Sequence, residues 1–154
     1  MSDSPFKGYC FCKTVSWAAS GSPALSVICH CTLCQRLHGA PFIHSIHFLA
    51  AQFQWTHAEP HEDYIEKYQV PEKPWKYRVR CKSCGVMVAG EHTKSNKFNV
   101  FVGGMERDQD GNVKKLDEVK ATAHIFYDTR LMDVNDGLPK WNGVLGQSTL
   151  LSSA

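Results

Sequence analysis

Seven cysteines fall into three tight clusters, Cys10-x-Cys12, Cys29-His30-Cys31-x-x-Cys34 and Cys81-x-x-Cys84, a grouping that suits thiolate ligation of metal. Neighbouring ligands of a tetrahedral zinc bring their sulfurs to about 3.8 Å, because each Zn–S bond is about 2.3 Å long. In Cys-x-Cys the two Cα atoms stand about 6.5 Å apart along an extended segment, so the backbone must bend or the rotamers converge. In Cys81-Lys82-Ser83-Cys84-Gly85 a tight turn achieves this, with Gly85 free to take a positive φ that a Cβ would penalise; the pentapeptide reads as a metal knuckle. The competing reading, a disulfide framework, suits short exported chains with an even cysteine count. Here the count is odd, and Met1 to Lys13 lacks the positive start, apolar stretch and small-residue cleavage site of an export signal. Reduced thiols in a cytoplasmic setting are the expectation.

Four plus three is the natural division of seven ligands, since structural zinc is closed by four protein ligands and catalytic zinc keeps one position for water or substrate. Cys29, Cys31 and Cys34 are compact enough to cap one ion, while Cys10, Cys12, Cys81 and Cys84 would clamp the first strand region to the middle of the chain. Spacing leaves a second outcome open. One of the eight histidines could complete the middle site, making both zincs structural and the protein a noncatalytic module that binds protein or nucleic acid. If the position is open, three cysteinates give the zinc centre a formal charge near −1. Such a centre favours thiol capture over hard hydrolytic chemistry.

Other residues carry weaker signals. His30 lies between two ligands, so in an extended segment its side chain points away from their sulfurs and suits a hydrogen bond that holds the loop. His38 follows the ligand segment and is a candidate proton carrier, although a solvated histidine at a helix end is the blander reading. Arg36, Lys94 and Lys97 are candidate partners for substrate carboxylates, Arg36 foremost because it adjoins the cysteines and binds bidentately; surface solvation is the default for the lysines. Phe42, His44, Ile46 and Phe48 share a strand face by alternation, with His44 expected as a hydrogen-bonded core residue. Trp75, Phe98 and Trp141 are expected to fill core. Asp108 to Asn112 resembles a calcium loop only superficially, because Val119 stands where a bidentate glutamate is needed; a turn is expected.

The elements that must position these residues are short. Thr14 to Ala18, Ala24 to Cys29, Phe42 to Phe48, Tyr64 to Val70, Lys76 to Arg80, Phe98 to Val102 and Ala123 to Tyr127 are rich in β-branched or aromatic residues and predict strands. Only Thr32 to His38 predicts a helix, of about two turns, ended by Gly39 and Pro41. The class is mainly β. With 154 residues, 43% apolar and 21% charged, the chain suits one domain over residues 1–146 followed by a loose tail over 147–154. No run approaches the roughly 18 apolar residues of a membrane span. The formal charge of +2 hints at nucleic acid. Seven thiolates around two Zn²⁺ would bring it to about −1, which removes that argument.

The motifs Gly8-x-Cys10-x-Cys12, Cys29-His30-Cys31-x-x-Cys34-x-Arg36, Gly39-Ala40-Pro41-Phe42, Cys81-x-x-Cys84-Gly85 and Asp136-Gly137-Leu138-Pro139 occur in order. From about Gly8 to Trp141 the chain resembles the glutathione-dependent formaldehyde-activating enzyme family, which includes centromere protein V. The resemblance implies an Mss4-like β-tent fold with two zinc sites and few short helices. It implies structural zinc at Cys10, Cys12, Cys81 and Cys84, and catalytic zinc at Cys29, Cys31 and Cys34. The implied activity is carbon–sulfur lyase-type: addition of glutathione, as co-substrate, to formaldehyde, giving S-hydroxymethylglutathione. The enzyme-class alternative is a tailoring lyase or hydrolase acting on a larger carbonyl or thioether compound, since cysteines report the metal and not the pocket. Two departures from the family pattern stand out. Lys13 follows the second cysteine where relatives often have glycine, and Gly103 to Leu116 looks like an elaboration.

Overall fold

Short β-branched and aromatic runs satisfy their backbone groups only by pairing across a ladder. In the computed structural model, which describes residues 5–152, such pairing builds a mainly β protein. Its strands are Phe6–Tyr9 (β1), Ser16–Ala19 (β2), Leu25–Cys29 (β3), Ile43–Leu49 (β4), Phe53–Trp55 (β5), Ile65–Gln69 (β6), Lys76–Cys81 (β7), Met87–His92 (β8), Lys97–Phe101 (β9), His124–Ile125 (β10), Lys140–Trp141 (β11) and Leu150–Ser152 (β12). One α-helix, Thr32–His38 (α1), occurs among the described residues, where the sequence places it. No helix among them is long and apolar enough to cross a membrane.

The chain condenses into two compact units. One takes the chain up to Leu25 together with Ile46–Glu118; the other takes Ser26–Ser45 and the chain from Val119 onward. In the first unit β1, β2 and β5 pair antiparallel, with Gly8 opposite Trp17 and Trp17 opposite Trp55. Strands β6 to β9 form an antiparallel meander, and the row Val79, Ala89 and Val100 is wholly buried. Phe6 packs on Phe48, their ring centroids 5.5 Å apart, and the Phe98 ring stacks on Phe53 at 4.3 Å. In the second unit β10 lies parallel to both β3 and β11, and β11 pairs antiparallel with β12.

Several boundaries differ from the sequence reading for local reasons. The strand expected from Thr14 starts at Ser16, because Cys10 to Val15 is occupied by a turn in which Lys13 N–H reaches the Cys10 carbonyl at 3.0 Å. The strand expected over Ala123 to Tyr127 shrinks to two residues, because Phe126 takes a left-handed φ of 54° and a 3₁₀ turn follows. Leu150–Ser152, inside the segment expected as a loose tail, form β12; the tail's last two residues lie outside the described residues. Asp108 to Asn112 is the expected turn: Asp108 Oδ1 accepts the N–H groups of Asp110 and Asn112 at 2.9 Å, and Arg107 bridges to Val113.

Candidate metal centres

In the first unit the Cys10-x-Cys12 turn and the Cys81 knuckle bring four sulfurs within 4.8 Å of one another. Cys10 Sγ lies 3.5 Å from Cys12 Sγ, which lies 3.8 Å from Cys81 Sγ. These separations match the edge of a zinc tetrahedron, about 3.8 Å, so the donor set fits zinc. Gly85 takes the expected positive φ, 73°. Lys13 adopts φ 64°, filling the left-handed position that a glycine occupies more easily. Val15 N–H donates to Cys10 Sγ at 3.3 Å, and the Thr14 hydroxyl stands 3.2 Å from Cys12 Sγ. Burial pushes the Cys10 thiol up to about 12, whereas hydrogen bonding from Thr14 lowers Cys12 to about 6. A bound divalent cation would offset the burial and mutual repulsion that oppose ionising the whole cluster.

In the second unit Cys29, Cys31 and Cys34 bring three sulfurs within 4.8 Å of one another; among the described residues no fourth Cys, His, Asp or Glu joins them at that spacing. Cys29 ends β3, and Cys31 is the N-cap of α1, with an extended ψ of 148° and its sulfur accepting Cys34 N–H at 3.3 Å. Gly39 closes the helix at φ 59°. Hydrogen bonding to the Cys31 and Cys34 thiols, with burial added, pushes Cys29 far up. Three soft donors that resist ionising together suit a thiophilic cation.

The segment carrying this trio is held by its backbone. The His30 carbonyl accepts from Gln35 Nε2 at 2.6 Å and from the Thr129 hydroxyl at 3.0 Å. The His30 ring, wholly buried, faces the wholly buried His124, with Nε2 of His30 2.8 Å from Nδ1 of His124. Nε2 of His124 lies 2.9 and 3.1 Å from the two carboxylate oxygens of Asp136. Partial burial opposes ionisation of Asp136, but the N–H of Leu138 and the His124 ring hold its carboxyl below the usual range. With a neutral chain of rings, that carboxylate fixes the tautomers: His124 donates from Nε2, so its Nδ1 accepts from His30 Nε2–H. His30 Nδ1 is left as a buried acceptor without a partner.

His30 is therefore a loop-holding residue as expected, although its main partner is His124, which the sequence reading did not single out. Arg36 is exposed on α1 and His38 is half-buried in its last turn; neither belongs to the sulfur cluster. His44 makes the expected hydrogen bond but is half-buried rather than core: it lies 2.8 Å from Ser26 Oγ, which donates to the Val119 carbonyl. Ile46 and Phe48 are buried, but so are Ile43 and Ser45, so β4 is covered on both faces. Lys94 sits 5.0 Å from the Trp75 ring centroid, and Trp141 is half-buried in β11.

No curated protein matches the sequence. The crystal structure of a Rhodobacter sphaeroides protein is similar at 19% identity and a TM-score of 0.50, covering 70% of this chain and 96% of that one, a likeness that speaks to the fold. A family profile described as glutathione-dependent formaldehyde-activating enzyme matches residues 5–129, a span that contains all seven cysteines. The chain belongs to the glutathione-dependent formaldehyde-activating enzyme family.

Proposed function

We propose that the protein is a zinc-dependent carbon–sulfur lyase-type enzyme, acting in the cytoplasm, that adds the thiol of glutathione to formaldehyde or a related carbonyl. The observation that carries this reading is the partition of seven thiols into a set of four and a set of three that no fourth Cys, His, Asp or Glu joins among the described residues. Cys10, Cys12, Cys81 and Cys84 would hold a structural zinc, and Cys29, Cys31 and Cys34 a catalytic one. When bound at the trio, zinc supplies Lewis acidity that lowers the pKa of a thiol and polarises a carbonyl.

The chain's own residues prepare that chemistry. The clamp of Gln35 and Thr129 on the His30 carbonyl fixes the turn from β3 into α1, and with it the relative positions of the three sulfurs. Asp136 and His124 orient the His30 ring from behind. Arg36, exposed two residues beyond Cys34, offers a planar fork for a substrate carboxylate, and His38 is the proton carrier. In the addition a carbon–sulfur bond forms, the carbonyl π bond breaks, and the thiol proton ends on the new hydroxyl oxygen. No further reactant is consumed.

Exchange spectroscopy with ¹³C-formaldehyde and glutathione tests the reading, because the adduct also forms slowly without an enzyme. The zinc-loaded protein is expected to accelerate exchange between formaldehyde hydrate and S-hydroxymethylglutathione, and Cys29→Ser to abolish the acceleration. Exchange at the uncatalysed rate would sink the assignment of substrate, and would leave the tailoring reaction on a larger carbonyl or thioether compound as the reading to pursue.

A further inference from the structure

A second cluster of chemistry-bearing side chains lies in the first unit, on the meander of β7, β8 and β9. Strand register sets Lys76 opposite His92 and His92 opposite Lys97, and in the next row of that face sets Arg78 opposite Gly90 and Gly90 opposite Asn99. Because side chains alternate, this face lies opposite the buried row Val79, Ala89 and Val100. Three cationic or titratable residues thus stand in line across three adjacent strands, with a guanidinium beside them.

Arg78 is only 7% exposed, yet its Nε has no hydrogen-bond partner, and its Nη1 reaches only the Tyr77 carbonyl, at 3.3 Å. Among the described residues it forms no ion pair. Glu91, the nearest carboxylate in register, projects to the other face and binds Lys67 at 2.8 Å; Glu66 binds Arg80. Withdrawing a guanidinium from water without a counter-charge is costly, and like charges placed opposite one another across strands add to the cost. The backbone nonetheless makes room for it: a Cβ at Gly90 would lie 2.8 Å from Arg78 Nη1 and would collide with the Asn99 amide. His92 is also set as a donor. Its Nδ1 accepts Ser95 N–H at 3.1 Å, so a neutral ring carries its hydrogen on Nε2. His47 belongs to the same field: burial, then Lys97, Lys76, Arg78 and His92, hold its ring neutral down to about 4.

We infer that this face binds a small oxyanion, a carboxylate or a phosphate group, with Arg78 at its base and Lys76, His92 and Lys97 around it. Arg78 supplies the planar, partly unused fork, His92 a neutral donor and the lysines positive charge, a combination suited to an oxyanion.

The site is tested without reference to thiol chemistry by following the Arg78 Nε–H and His92 ring signals by ¹⁵N NMR in the zinc-loaded protein. Inorganic phosphate and S-methylglutathione, whose blocked sulfur cannot act as a thiolate, are titrated separately. Saturable shifts of both signals are expected with at least one compound. A response to phosphate alone identifies a phosphate ligand, and one to S-methylglutathione alone a carboxylate ligand. Lys97→Gln and His92→Gln are each expected to weaken binding about tenfold, while the remaining amide signals hold their positions and report an intact fold. No saturable shift with either compound at millimolar concentration, or binding unchanged in both variants, would overturn the inference.

Discussion

Cys31 does two jobs with one sulfur: it belongs to the three-thiol cluster, and it caps α1 by accepting Cys34 N–H. Serine is a good N-cap but a poor soft ligand, so substitution separates the two jobs. Cys31→Ser is expected to keep the helix and lose one bound zinc per chain, whereas Cys31→Ala loses the zinc and about 1 kcal/mol besides; metal analysis and chemical unfolding of both variants check this, and two zincs retained in Cys31→Ser would contradict it. His47 shows electrostatics of another kind. Burial first, then the charges of Lys97, Lys76, Arg78 and His92, lowers it from 6.5 to about 4. The fold thus favours the neutral ring, and the stability this contributes is complete above the unfolded value of about 6.5 and is lost as pH falls through 4. An NMR titration of the His47 ring is expected to give a midpoint near 4; a midpoint near 6.5 would refute the burial argument.

At the scale of elements, α1 was legible because its signals are local: the helical composition of Thr32 to His38 and the stop at Gly39 and Pro41 all lie within ten positions. Strands β1, β5 and β8 were not, because Phe-Lys-Gly-Tyr, Phe-Gln-Trp and Met-Val-Ala-Gly-Glu-His lack β-branched density and become strands through pairing. Gly8 shows why such a segment departs from propensity. The Trp17 indole and the Gly104 carbonyl press where its Cβ would be, so packing excludes every larger residue. The His30–His124 contact was invisible for a related reason: it joins residues 94 positions apart, one just past the end of β3 and the other on β10, which pairs in parallel with β3. Alternation shows that a histidine is buried, not which ring it meets. His124→Leu would leave His30 Nε2–H without its acceptor in the interior, and is expected to cost about 1–3 kcal/mol in chemical unfolding. A variant as stable as the parent would show that the ring pair does not hold the β3 end in place.

For the whole molecule, cysteine spacing disclosed the division of donors because tetrahedral ligation is a geometric demand that few sequences meet by accident. The sulfur positions agree with it: four within one unit and three within the other. Composition disclosed the mainly β class but not the condensation into two units, since each unit is assembled from separated stretches of chain. The oxyanion face was equally hidden. Lys97 stood out in the sequence as a candidate carboxylate partner with surface solvation as the default, and strand register is what sets it in line with His92 and Lys76. On the proposed function, Cys29, Cys31 and Cys34 hold one ion and leave a position that an incoming thiol can fill. Optical titration of the cobalt-substituted protein with glutathione tests it most directly. Thiolate-to-cobalt absorption is expected to rise and to saturate at one glutathione per chain; a spectrum unchanged at saturating glutathione would rule out an open position at the trio.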